Sequence, residues 1–169
     1  MHVELLPMTR ERFHELFRGF EYDACMFTDE AVFRKLCGLP YDEQAVDAVF
    51  ERHSGDSDRL SFAVMLGERV IGEVVLKHID NDHKSCELGI HLKDDSVKGL
   101  GYGTEAERLA IEYAFGVLGM NTVLADTIIK NARSRHILEK LGFTRVCDKE
   151  GFTFYKLGKE DYYADSTDR

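Results

Sequence analysis

Lys98-Gly99-Leu100-Gly101-Tyr102-Gly103-Thr104 stands between an apolar run and an amphipathic one, and its reading decides the fold. Three glycines at alternate positions behind a cation let the backbone turn sharply and aim N–H groups outward. From about Gly103 to Leu118, Ala106, Leu109, Ala110, Tyr113 and Val117 recur at helical spacing, so the loop opens a helix. Free N–H groups and the positive end of the helix dipole make that junction an anion site. The spacing is G-x-G-x-G, not the G-x-G-x-x-G of a dinucleotide fold, and it lacks the Gly-Lys-Ser/Thr of a nucleoside-triphosphate loop.

Upstream of the loop, Cys86 to Leu92 reads as a strand, with Leu88, Ile90 and Leu92 on one face and Glu87, Gly89 and His91 on the other. Before it, Leu60–Leu66 and Val70–Lys77 are β-rich runs joined by Gly67-Glu68, a hairpin signal. The first third predicts a short strand, Val3 to Leu6, and a helix capped by Thr9 and running to Phe17. Two more helices are expected, over Asp29 to Cys37 and after Pro40, with Ala45, Val46, Val49 and Phe50 at helical spacing. Downstream come a strand over Val123 to Ile128, a helix from Ser134 to Leu141 closed by Gly142, and a hairpin over 144–148 and 152–157. Ser134 is the residue whose composition suits a cap for the second of these. From Lys159 onward the chain is polar and is expected to be partly disordered. Strands and helices alternating in this order describe an α/β domain with a mixed sheet.

At 169 residues and 44% apolar content the chain suits one domain with a sizeable core. No run is long and apolar enough to span a membrane, and Met1-His2-Val3-Glu4 does not open a signal peptide, so a cytoplasmic location is the expectation. Cys25, Cys37, Cys86 and Cys147 form no C-x-x-C pair or metal-ligand spacing and read as free or buried thiols. The net charge is −9, and residues 1–60 hold 13 acidic against 7 basic side chains. That balance disfavours nucleic acid and suits a cationic partner, though an ordinary acidic surface has the same signature.

A second motif, Asn131-Ala132-Arg133-Ser134, leads into Leu138-Glu139-Lys140-Leu141-Gly142-Phe143. With the glycine loop, it resembles the GNAT superfamily of N-acetyltransferases, in particular the branch that acetylates ribosomal-protein N-termini. The resemblance covers nearly the whole chain: residues 1–158 would be the acetyltransferase domain and 159–169 a polar C-terminal tail. It implies an α/β single-domain fold whose mixed, mostly antiparallel sheet has six to seven strands flanked by helices. Its two central strands, here 86–92 and 122–128, would splay to admit the pantetheine arm of acetyl-CoA, the implied cosubstrate. No metal is implied.

The resemblance also distributes roles. Lys98, Gly99, Leu100, Gly101, Tyr102, Gly103 and Thr104 would hold the pyrophosphate, with Lys98 standing where the family has glutamine or arginine. The backbone of Ile90, His91 and Leu92 would hold pantetheine as an added strand does, and Asn131 would bind the same arm. Arg133 would approach the phosphates, unless it is solvated surface. Ser134 would assist the departing thiolate, because Leu138 stands where many members carry a tyrosine acid.

Glu87 is the candidate general base, with a surface or acceptor-binding carboxylate as the alternative. The need for a base is real, since an amine with a pKa near 10.4 is only ~0.1% neutral at pH 7.4. The His91 side chain reads as a hydrogen-bonding group rather than a catalyst. Phe20, Tyr22 and Phe27 are offered as an acceptor lining. The expected activity is direct transfer of acetyl to a primary amine, whether a protein N-terminus, a polyamine or another small amine. A CoA-binding sensor without turnover is the alternative. A homodimer is compatible with the reading, which leaves the acceptor and the oligomeric state open.

Overall fold

The computed structural model describes residues 2–166. Thr9 caps the first helix as expected, its side chain accepting from the Arg12 N–H at 3.3 Å. Asp29 and Asp42 do the same for the next two helices, accepting from Ala31 and Ala45 at 2.8 and 3.0 Å. The elements run β1 (Glu4–Pro7), α1 (Arg10–Phe17), α2 (Glu30–Leu36), α3 (Glu43–Ser54), β2 (Leu60–Leu66), β3 (Arg69–Asp80), β4 (Ser85–Leu92), α4 (Tyr102–Gly116), β5 (Thr122–Ile128), α5 (Ala132–Lys140), β6 (Thr144–Lys149), β7 (Phe152–Gly158) and α6 (Lys159–Ser166).

The seven strands form one sheet in the order β1-β2-β3-β4-β5-β7-β6. Every neighbouring pair is antiparallel except β4 with β5. The Gly67-Glu68 turn joins β2 to β3, with Gly67 at φ +63°, a conformation that glycine adopts without a Cβ penalty. The architecture is the single-domain α/β sheet fold that the sequence predicts.

Period-two burial sorts the two faces. Cys86 and Leu88 of β4, Val123 and Ala125 of β5, and Tyr155 and Leu157 of β7 are buried against α4 and Leu138 of α5. α4 contributes the small residues Ala106, Ala110 and Ala114, which let it lie close to the sheet, with Ile111 and Phe115 beside them. On the opposite face, Leu16 and the partly buried Phe17 of α1 cover Ala63, Met65 and Val70. α3 packs beside α1 through Phe13 and Phe50, whose ring centroids are 5.6 Å apart. His14 and Arg10 of α1 both reach Asp47 of α3. Among the described residues, no helix is long and apolar enough to cross a membrane.

The stretch expected to be a partly disordered tail is a helix over Lys159–Ser166. The Lys159 ammonium donates to the Phe115 carbonyl at 3.0 Å, and the Tyr162 ring packs on Phe115 at 5.7 Å. A polar sequence hid this because two aromatic rings and one capped carbonyl are enough to dock a two-turn helix. Residues 167–169 lie outside the described residues.

Glu107 of α4 is 4% exposed, its Oε2 has no hydrogen-bond partner, and burial pushes its pKa up to about 8. The unfolded chain gives up that proton near 4.5, so the folded state binds it more tightly. The resulting stability is complete below the unfolded pKa and is lost as pH rises to about 8. Unfolding titrations should therefore show stability falling across that window, at up to about 1.4 kcal/mol per pH unit. Glu107→Gln should flatten the slope.

Candidate active site

β4 and β5 pair in parallel only from Ser85–Thr122 to Leu88–Ala125. Beyond that point each stays paired to its outer neighbour, β4 to β3 through Leu92 and β5 to β7 through Ile128. The facing edges therefore part, leaving a cleft lined by main-chain groups without a strand partner. This is the splay expected at 86–92 and 122–128. Gly89, the first residue of β4 past the last pair, lies against its β3 partner, where a Cβ would meet Val75 Cγ1 at 3.1 Å.

The α4 N-terminus stands beside the free arm of β4. A Cβ on Gly103 would touch Leu92 Cδ1 at 3.5 Å and Ile90 Cδ1 at 3.8 Å. Gly101 is the N-cap, at φ +88°, and supplies no side-chain acceptor to the first turn. The first-turn N–H groups of Tyr102, Gly103 and Thr104 thus have no side-chain cap, the state in which helix N-termini can receive an anion. Gly99 is also left-handed, at φ +74°, and Leu100 is exposed at the rim. Lys98 differs from the expectation of a free phosphate-binding cation. Its side chain is 11% exposed and its ammonium lies 2.9 Å from Asp95 and 3.6 Å from Asp23, so its charge is matched within the chain.

At the far end of β5, Asn131 caps α5, its side-chain oxygen accepting from the Ser134 N–H at 3.1 Å. The cap expected at Ser134 is thus one turn earlier. Asn131 has the non-helical backbone of a cap (φ −81°, ψ 74°), whereas Ser134 is already the third helical residue and half-buried. The carboxamide nitrogen of Asn131 is left for a ligand. Arg133 is exposed on the same turn. Arg133 and Lys130 both act electrostatically on Cys25, and Asp23 reaches Lys98, so the Asp23–Cys25 segment spans from the glycine loop to α5.

Two carboxyl groups meet on the open face at the vertex. Glu87 Oε1 lies 2.6 Å from the Lys77 ammonium and Oε2 lies 3.2 Å from His78 Nδ1. Burial pushes the Glu87 pKa up, but Lys77 outweighs it and holds the group below its usual range. Asp126, hydrogen-bonded to Glu87, is pushed up, first by burial and then by that neighbouring charge. Sequence reading missed Asp126. The available signal was its place as the lone acid in the apolar run Val123–Ile128, two residues from outward-facing Leu124.

Farther along the same face, His91 Nε2 lies 3.6 Å from Glu73 Oε2. An aromatic row leads up to it: Phe20 at 6.4 Å from the His91 ring, Tyr22 at 5.2 Å from Phe20, Phe27 at 5.8 Å from Tyr22, and Phe33 at 5.8 Å from Phe27. Phe20, Tyr22 and Phe27 therefore form one row that meets β4 through Phe20. Leu138, at the place of the absent tyrosine acid, is 2% exposed and part of the core. The thiols are poorly suited to a covalent route: burial pushes Cys86 up to about 11, and burial with Asp23 pushes Cys25 up.

A family model described as an acetyltransferase (GNAT) domain matches residues 2–144. The chain is 27% identical over 143 residues to the spermidine N(1)-acetyltransferase of Escherichia coli (strain K12), covering 84% of this chain and 73% of the relative. Among solved structures it resembles spermidine N-acetyltransferase from Vibrio cholerae in complex with CoA and spermine. The TM-score is 0.72 at 18% identity, with 96% of this chain and 98% of the other covered. A dodecameric structure of the Vibrio cholerae enzyme matches at a TM-score of 0.73 and 18% identity, covering 98% of each chain. At that identity the structural likeness speaks to the fold.

Asn131→Ala should lower stability by about 1 kcal/mol in urea unfolding, because the α5 cap is lost, and Asn131→Asp should not.

Proposed function

The chain belongs to the GNAT acetyltransferase family, and from that premise we propose that its acceptor is a polyamine-like alkylamine and that the parted strands are where transfer occurs. As a member of that family it is an N-acetyltransferase with acetyl-CoA as cosubstrate. In the proposed arrangement, Gly99, Leu100, Gly101, Tyr102, Gly103 and Thr104 receive the pyrophosphate on open N–H groups, with Lys98 fixing the loop through Asp95 and Asp23. The main chain of Ile90, His91 and Leu92 and the Asn131 carboxamide hold the pantetheine arm, and Arg133 faces the phosphates. Ser134, half-buried beside Asn131, is the hydroxyl nearest in sequence to donate to the departing thiolate.

The observation that carries the acceptor reading is the Glu87–Asp126 pair at the vertex, approached past a row of aromatic rings. Ring faces and carboxylates both favour an alkylammonium. The acidic first third of the chain adds attraction at longer range. Similarity to spermidine acetyltransferases supports the same class. The Asn-x-x-Ser motif instead resembles the branch acting on ribosomal-protein N-termini, whose acceptor is also an amine. Orientation of two bound reactants supplies much of the rate in such a ternary complex.

Mass spectrometry after incubation with acetyl-CoA and a pool of polyamines, amino acids, aminoglycosides and peptides should show an acetylated polyamine, absent without enzyme. Product confined to peptide N-termini would overturn the acceptor assignment. Acetyl-CoA binding with no product from any amine would favour a sensor without turnover. Glu87→Gln should raise the KM for a cationic acceptor roughly tenfold, as expected for loss of one partly buried charge contact, and leave the KM for acetyl-CoA unchanged.

A further inference from the structure

Glu73 sits in the middle of β3, directly opposite His91 of β4, and is 2% exposed. A carboxylate so placed is costly unless something holds its charge. Its two oxygens face different surroundings. Oε2 lies 3.6 Å from His91 Nε2. Oε1 has no hydrogen-bond partner and lies 3.9 Å from Arg59, at the edge of a cavity of about 240 Å³. Burial pushes the Glu73 pKa up, but His91, Arg59 and Ser61 outweigh it and keep the group ionised.

His91 is placed differently from its partner. Its side chain is 43% exposed, on the arm of β4 beyond the last β4–β5 pair, at the end of the aromatic row. A solvent-reachable imidazole backed by a buried carboxylate is the arrangement in which the anion orients the ring and steadies the imidazolium formed on proton uptake. Glu87 is less free for that task, since Lys77 and His78 occupy both of its oxygens. The other charged groups about the pair are Arg59 and His53 of α3.

We infer that His91 is the proton acceptor for the attacking amine and that Glu73 is the positioning residue acting through it; this rests on the acetyl-transfer reading above. With Nε2 turned to Glu73, Nδ1 receives the proton. The amine nitrogen attacks the thioester carbonyl carbon, a C–N bond forms, and the carbonyl electron pair moves to oxygen. When that pair returns, the C–S bond breaks and CoA leaves as thiolate. An alkylammonium sheds two N–H protons on becoming an amide: one ends in solvent and the other on the thiolate. His91 takes the proton of the amine that attacks, while the Glu87–Asp126 pair, four residues back along β4, attracts a second ammonium of a polyamine-like acceptor.

The test measures steady-state kinetics of His91→Gln, Glu73→Gln and the double variant on whichever amine the wild type acetylates, with His91→Ala assayed with and without added imidazole. His91→Gln should lose about 100-fold in kcat, in the range for removal of a general base, with the KM for acetyl-CoA unchanged. Imidazole should restore part of the His91→Ala rate, which a packing defect would not allow. Glu73→Gln should lower kcat, and the double variant should be no slower than His91→Gln alone. A His91→Gln kcat within twofold of wild type, or costs that add in full in the double variant, would overturn the assignment and leave the acetyl-transfer reading standing. A wild type that acetylates no amine would overturn both.

Discussion

β4 and β5 are parallel neighbours that stop pairing halfway, and the rest of the site depends on that interruption. A sheet normally satisfies every interior N–H and C=O along its ladder. Here the outer edge of each strand remains paired, so neither can rotate to close the gap without breaking its bond to β3 or β7. The cleft is therefore a fixed consequence of topology. In the proposed arrangement an extended, amide-bearing arm supplies the missing partners as an added strand would. The α4 N-terminus is tied to the same place, because Gly103 lies against Ile90 and Leu92 on the free arm. The helix end and the cleft are thus parts of one rigid unit, and the proposed placement of phosphate and arm on them suits a reaction whose rate comes largely from orientation.

The charges around the cleft are separated by how each is satisfied. Lys98 could have been the leading cation of the phosphate site, but Asp23 and Asp95 match its charge. In the proposed arrangement the phosphates are then left to backbone N–H groups of the α4 N-terminus and to the exposed Arg133. On the acceptor face, three carboxyls lie in different settings. Glu73 is buried and ionised beside His91, Glu87 is ionised beside Lys77, and Asp126 is pushed toward its protonated form. One face thus offers an anion behind a ring, an anion beside an ammonium, and a carboxyl whose pKa is raised by burial and by its neighbour. Such divided roles follow from burial and neighbours rather than from residue type.

The sequence displays local features best. The Gly67-Glu68 hairpin, the Thr9 cap and the alternation in β4 are each decided within a few residues and stand where the spacing predicts, as does the α4 stripe through Tyr113. Val117, expected in that stripe, is instead the exposed C-cap, because the helix ends at Gly116. The order of elements, with the glycine loop, made the splayed sheet legible as well. Cap identity at α5 was not legible, because Asn131 and Ser134 are both good caps and only the backbone at 131 decides between them. Glu73 and Asp126 were invisible for a different reason. Their meaning comes from cross-strand partners, His91 and Glu87, and register between strands is a long-range property. The α6 helix escaped notice because its docking depends on Phe115, more than forty residues earlier in the chain.

Specificity follows the same division. The proposed cofactor half of the cleft is built from α4, β4 and α5, elements held by the main core. The proposed acceptor side includes the segment between α1 and α2, which is tied to the glycine loop by Asp23, 3.6 Å from the Lys98 ammonium, and, with α1 before it, to Lys93 just past β4. The Glu21 N–H donates to the Lys93 carbonyl at 2.8 Å, and the Lys93 ammonium donates to the Glu15 carbonyl at 2.7 Å. Those links carry Phe20 and Tyr22 to His91 without fixing the side chains beyond them, where Phe27 and Phe33 continue the row. Changes in residues 19–33 can therefore reshape the approach to the cleft while the parted strands and the phosphate loop stay as they are. This is why one cofactor architecture can serve different amines, and why the acceptor must be argued from the surface of the approach rather than from the fold.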